Sequence, residues 1–122
     1  MRALVTGGAG FIGSHLIDRL VARGDKVSVV DNLSSGVIEF IQGHIDSGAV
    51  TFHNADLKDL NGLVPLMDGI DMVYHLAANP DIRLGTKITD TDLNEGTIAT
   101  YNVLEAMRLA GVGKIAFASS SV

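Results

Sequence analysis

The chain has 122 residues, 47% hydrophobic and 19% charged, with a net charge of -5. That length suits one small domain with a real core, and the acidic balance, with no basic run, excludes nucleic acid as the main partner. The absence of cysteine excludes disulfides and thiolate chemistry, and no apolar stretch reaches the length of a membrane span.

Residues 2–6 carry Ala3, Leu4 and Val5 and read as a buried parallel strand. The N-terminus therefore reads as the first strand of the fold and not as a signal peptide, and cytoplasm is the default location. Phe11, Ile12, Leu16, Ile17, Leu20 and Val21 then recur at helical spacing. Between strand and helix lie Gly7, Gly10 and Gly13. Such a triplet serves a tight strand-to-helix connection, and it also suits a dinucleotide-binding turn. In the second case Gly7 takes a turn conformation closed to other residues. Gly10 lets backbone approach a pyrophosphate, and Gly13 lets the helix pack closely. The unpaired amides at the helix start would face the phosphates.

The next apolar run, residues 26–31, ends in Asp31, 18 residues after Gly13. A carboxylate there can accept hydrogen bonds from both hydroxyls of an adenosine ribose. It would repel a 2′-phosphate, which favours NAD over NADP. Residues 32–36, NLSSG, form a small polar turn, and residues 37–45 could form a short helix. A third strand is predicted at 50–53, a helix at 60–67 and a fourth strand at 71–76. Pro80 makes a helix interior improbable in the polar stretch that follows. Ile98, Tyr101, Val103, Leu104 and Met107 predict an amphipathic helix over 96–110, ended by Gly111 or Gly113. A fifth strand at 114–118 enters Ser119, Ser120 and Ser121.

Alternating strands and helices predict an α/β fold, a doubly wound parallel sheet of order 3-2-1-4-5. Ligands then bind over the carboxyl ends of the strands, beside the switch between strands one and four. The small polar clusters all follow strands and gather on that edge: the glycine turn, Asp31-Asn32, Asp56-Leu57, Ala77-Ala78-Asn79 and the terminal serines. His15, His44, His53 and His75 show no close-spaced pair, so no metal site is expected. Packing or capping roles are expected for them.

TGGAGFIGSHL at 6–16, DNLSSG at 31–36, HLAA at 75–78 and FASSS at 117–121 resemble the extended short-chain dehydrogenase/reductase family. The resemblance is greatest to its nucleotide-sugar epimerases and dehydratases, above all the 4-epimerases that interconvert UDP-glucose and UDP-galactose. It covers the whole chain, but only the front third or so of a family member. It implies that residues 1–122 are the N-terminal portion of an NAD-binding Rossmann domain. Gly7, Gly10, Phe11, Ile12, Gly13, Asp31, Asn32, Ser35, Gly36, Asp56, Leu57, Leu76, Ala77 and Ala78 would then bind NAD. It also implies a catalytic Ser120, with Ser119 the alternative, that hydrogen-bonds a sugar 4-hydroxyl.

In the family a Tyr in a Tyr-x-x-x-Lys pair is the base. Tyr74 and Tyr101 both lack a lysine at the required offset. The resemblance places the catalytic pair and the nucleotide-sugar domain downstream, so this chain alone is expected to be inactive. A nucleotide-sugar partner is expected only with that further domain, and a homodimer is possible in such a family. A second departure is DLNEGT, where Leu93 stands at the family's usual asparagine position and Asn94 one step later. Two alternatives stay open: a dehydratase-like or other nucleotide-sugar enzyme, and a non-catalytic dinucleotide-binding module.

Overall fold

The computed structural model describes residues 1–34, 36–77 and 97–118. In chain order these form β1 (Arg2–Thr6), α1 (Phe11–Ala22), β2 (Lys26–Asp31), a 3-10 turn (Ile38–Phe40), α2 (Gln42–Asp46) and β3 (Val50–Asn54). There follow α3 (Leu60–Leu63), a 3-10 turn (Val64–Met67), β4 (Met72–His75), α4 (Ala99–Ala110) and β5 (Ile115–Phe117). The strands pair in parallel in the order β3-β2-β1-β4-β5, as the alternation of elements predicts.

β1 lies at the centre, and its continuous apolar run is explained by burial on both faces. Ala3 and Val5 pack toward Ile17 and Leu20 of α1, together with Val27, Val29 and Val50. Leu4 points the other way, into a layer with Leu63, Met67, Val73, Val103 and Met107. Helices therefore cover both faces, and the strand ends between them are free to build a site. No described helix is long and apolar enough to cross a membrane.

Three local expectations are corrected. The short helix at 37–45 is a 3-10 turn followed by α2, broken at Ile41 (φ -120°, ψ 5°). The helix at 60–67 is α-helical only through Leu63 and then tightens to 3-10 geometry, with Pro65 in its first turn; proline has no amide hydrogen for the ladder. In α4 the buried side is Ala99, Asn102, Val103, Ala106 and Met107, while Tyr101 and Leu104 are exposed. The buried side keeps the expected Val103 and Met107 but takes Ala99, Asn102 and Ala106 in place of Tyr101 and Leu104, and it packs closely on α3 and the Val64–Met67 turn. Gly111 ends α4 with φ at 79°, and the Val112 amide donates to the Met107 carbonyl at 2.9 Å, a left-handed cap.

Candidate functional site

The glycine turn between β1 and α1 is packed from several sides. Gly7 has φ at 70°, and a Cβ there would lie 2.8 Å from the Ala77 nitrogen. A Cβ on Gly13 would run into the Gly7 carbonyl oxygen and reach 2.8 Å from the Gly8 Cα. Gly13 thus brings α1 against the turn itself. Gly10 differs: a Cβ there meets only the Gly7 carbonyl oxygen, at 3.3 Å, and Gly10 lines an open cavity. Gly8 falls outside the triplet spacing yet is equally constrained, since its Cβ would be 2.7 Å from a Val29 methyl.

Gly10 caps α1 without a side-chain hydrogen bond, and the first turn holds no acid. The amides of Phe11, Ile12 and Gly13 precede any i−4 carbonyl within the helix, and all three residues line the cavity. Phe11 and Ile12 are 72% and 68% exposed. Their apolar side chains continue the helical periodicity but cover the cavity mouth instead of the core. The His15 Nδ1–H donates to the Phe11 carbonyl at 2.8 Å, and the two rings lie 4.6 Å apart.

Asp31 ends β2 at the cavity edge. One carboxylate oxygen accepts from the Ala9 amide at 3.0 Å and the other from the Leu33 amide at 2.7 Å. The same carboxylate therefore holds the glycine turn to the loop after β2. Each oxygen keeps acceptor capacity beyond these bonds. Leu33 adopts φ of 61°, and the Asn32 side-chain oxygen accepts from the Ser34 amide at 3.0 Å. A Cβ on Gly36 would stand 2.9 Å from both Asp31 and the Ala9 Cβ. Asn32, Ser34 and Gly36 line the cavity. Ser34 was not anticipated; Ser35, which was, lies outside the described residues.

Asp56 and Leu57 follow β3. The Asp56 carboxylate accepts from the Lys58 amide at 2.9 Å and lies 3.7 Å from the Lys58 ammonium. Leu57 is buried, and its carbonyl accepts from the Asn102 side chain at 2.8 Å. Asn102 is a positioning group that periodicity missed, and the available signal was an amide set in an apolar face. Just after β4, the amides of Leu76 and Ala77 donate to the Thr6 hydroxyl at 3.1 and 3.2 Å. That hydroxyl lies 2.7 Å from His75 Nδ1, and His75 Nε2 lies 3.0 Å from the Thr100 hydroxyl. Burial pushes the pKa of His75 below the usual imidazole value.

These segments enclose a cavity of about 460 Å³ over the carboxyl ends of the strands. Asp56, Leu57, Leu76 and Ala77 complete the walls, with Val30, Ala55, Ala99 and Ala118 between them. The fit to a dinucleotide rests on the space at Gly10, the first-turn amides of α1 and the carboxylate of Asp31. Neither tyrosine lines the cavity: Tyr74 packs against the α1 layer and Tyr101 is exposed on α4. Ala78, Leu93, Asn94, Ser119 and Ser120 lie outside the described residues.

Known proteins share this arrangement. The profile of the NAD dependent epimerase/dehydratase family matches residues 3–122. A UDP-glucose 4-epimerase of Mycolicibacterium smegmatis is 40% identical over 98% of this chain. A crystal structure of a UDP-galactose 4-epimerase superposes on 99% of the chain with a TM-score of 0.86 and 50% identity. The UDP-glucose-4-epimerase of Stenotrophomonas maltophila, solved with bound NAD and formylated UDP-arabinopyranose, superposes on 99% with a TM-score of 0.92 and 35% identity. The chain spans 39%, 39% and 37% of the lengths of these three proteins. With a family profile running from the first strand to the last residue and the same parallel sheet beneath it, the chain belongs to the NAD dependent epimerase/dehydratase family.

Proposed function

We propose that this chain is the NAD-binding part of a nucleotide-sugar 4-epimerase acting on UDP-glucose and UDP-galactose. The observation that carries the reading is the cavity itself, where the Gly10 gap and the first-turn amides of α1 face Asp31 across one space. When bound, NAD supplies a hydride acceptor that takes hydride from the sugar C4 and gives it back. The residues of the chain hold and orient. The amides of Phe11, Ile12 and Gly13 would meet the pyrophosphate. Asp31 would accept from the adenosine ribose hydroxyls and disfavour a 2′-phosphate. Asp56 would accept from the adenine amine, and Leu57, Leu76, Ala77 and Ala78 would pack along the cofactor.

Ser120 is proposed to hydrogen-bond the sugar 4-hydroxyl. The proton-transferring tyrosine is proposed to come from outside these 122 residues, because Tyr74 and Tyr101 sit away from the cavity. Two copies are proposed to associate, a reading supported by the exposed Tyr101 and Leu104 on α4.

Calorimetric titration with NAD and NADP tests the cofactor assignment. Tighter NAD binding is expected, and equal or tighter NADP binding would overturn it. Turnover of UDP-galactose, UDP-glucose and UDP-glucuronic acid by a longer product carrying a Tyr-x-x-x-Lys pair then tests the substrate. Conversion of the acid alone would replace the epimerase reading.

A further inference from the structure

The buried polar chain behind the β4 wall defines a proton position. Thr6, His75 and Asn102 are all buried, and among the described residues no buried side-chain nitrogen or oxygen lacks a partner. The Thr6 hydroxyl oxygen accepts from two amides, Ala77 at 3.2 Å and Leu76 at 3.1 Å, the Leu76 amide being shared with the Thr6 backbone carbonyl at 3.2 Å. Two such bonds use both of its lone pairs. Its own hydrogen is then free to go only to the remaining neighbour, His75 Nδ1 at 2.7 Å. With both lone pairs engaged, the hydroxyl hydrogen goes to Nδ1, which leaves the ring proton for Nε2, 3.0 Å from the Thr100 hydroxyl.

We propose that His75 is a positioning residue: a neutral ring, protonated on Nε2, that aims the Thr6 hydroxyl so that its lone pairs hold the Leu76 and Ala77 amides in the cavity wall. The inference rests on the cofactor reading for its consequence, since Leu76 and Ala77 line the proposed NAD cavity. Among the described residues, the groups facing the ring are Thr6 from β1, Thr100 from α4 and Phe117 from β5, whose ring lies 5.6 Å away. All are uncharged, and burial alone lowers the affinity of the ring for a second proton. Protonation would make both ring nitrogens donors. Nδ1–H would then compete with the amides for the hydroxyl lone pairs; the Leu76 amide would keep the Thr6 carbonyl, and the Ala77 amide would lose its hydroxyl partner.

Nitrogen-resolved NMR of the labelled chain near neutral pH reads the tautomer directly. A neutral His75 with the proton on Nε2 is expected; an Nδ1–H or charged ring would overturn the proposal. Two variants then separate the nitrogens. In His75→Asn the amide oxygen can stand in for Nδ1 and does not titrate. His75→Gln reaches only the Nε2 position. NAD affinity is expected to stay near wild type in His75→Asn and to fall about tenfold in His75→Gln. Equal affinities, or the reverse order, would overturn the proposal. On acidification toward about pH 5, wild type should lose more affinity than His75→Asn, and parallel losses would count against it. If the variants do not fold, the tautomer measurement decides. If wild type binds no NAD at neutral pH, the cofactor reading fails, and the tautomer still stands or falls on its own signal.

Discussion

Asp31 does two jobs with one carboxylate. Its oxygens tie the Ala9 and Leu33 amides together at 3.0 and 2.7 Å while facing the cavity. Asp31→Ala is therefore expected to weaken NAD binding by about 1–3 kcal/mol and also to lower stability, because two amides lose their acceptor. Calorimetry and urea denaturation on the same variant check both effects. Spacing made the acid visible as a candidate for ribose, but its bonds to Ala9 and Leu33 depend on a loop path that spacing does not encode. His75 makes a second claim. Its folded-state pKa is below the ordinary 6.5 because of burial, so the unfolded chain takes up the proton first. Stability should fall as pH drops below about 6.5 toward the folded value. Urea midpoints should show a shallower fall for His75→Asn.

Among the elements, the glycine turn and α4 separate binding from folding. Gly10→Val should leave the fold in place and block the approach of a pyrophosphate, because the position opens on the cavity. Gly13→Ala should instead lose about 1–3 kcal/mol of stability through overpacking against the turn. Circular dichroism and NAD titration, run in parallel, distinguish the two. In α4, Ala106 is fully buried and Leu104 is 47% exposed. Ala106→Leu should cost about 1–3 kcal/mol, while Leu104→Gln should change stability by no more than about 0.5 kcal/mol. Denaturant midpoints would show it, and the reverse order would mean that α4 is rotated.

For the molecule as a whole, the sheet gathers the cavity walls at the ends of its strands, and neither tyrosine lines them. Purified as these 122 residues, the chain is expected to show no epimerisation of UDP-galactose with NAD supplied, since neither tyrosine reaches the cavity. A longer product with the Tyr-x-x-x-Lys pair is expected to convert the sugar. Side-by-side assay by product chromatography decides it: turnover by the verified short chain would refute the missing-base argument.

Local chemistry was enough to predict the parallel sheet and its order, the glycine turn and Asp31. A strand buried on both faces needs an unbroken apolar run, and a tight strand-to-helix turn needs glycine. Those demands act over a few residues and leave a readable pattern. The buried face of α4 was readable only in Val103 and Met107, because helical spacing equally admits Tyr101 and Leu104, and it is packing against α3 and the Val64–Met67 turn that selects Ala99 and Ala106 instead. The role of Asn102 was not readable, nor was the path from Leu76 and Ala77 through Thr6 and His75 to Thr100. Directly bonded partners among these groups are up to 71 residues apart in the chain. Their pairing arises because parallel β1 and β4 are neighbours and α4 lies across them, and burial then forces each polar atom to find its partner.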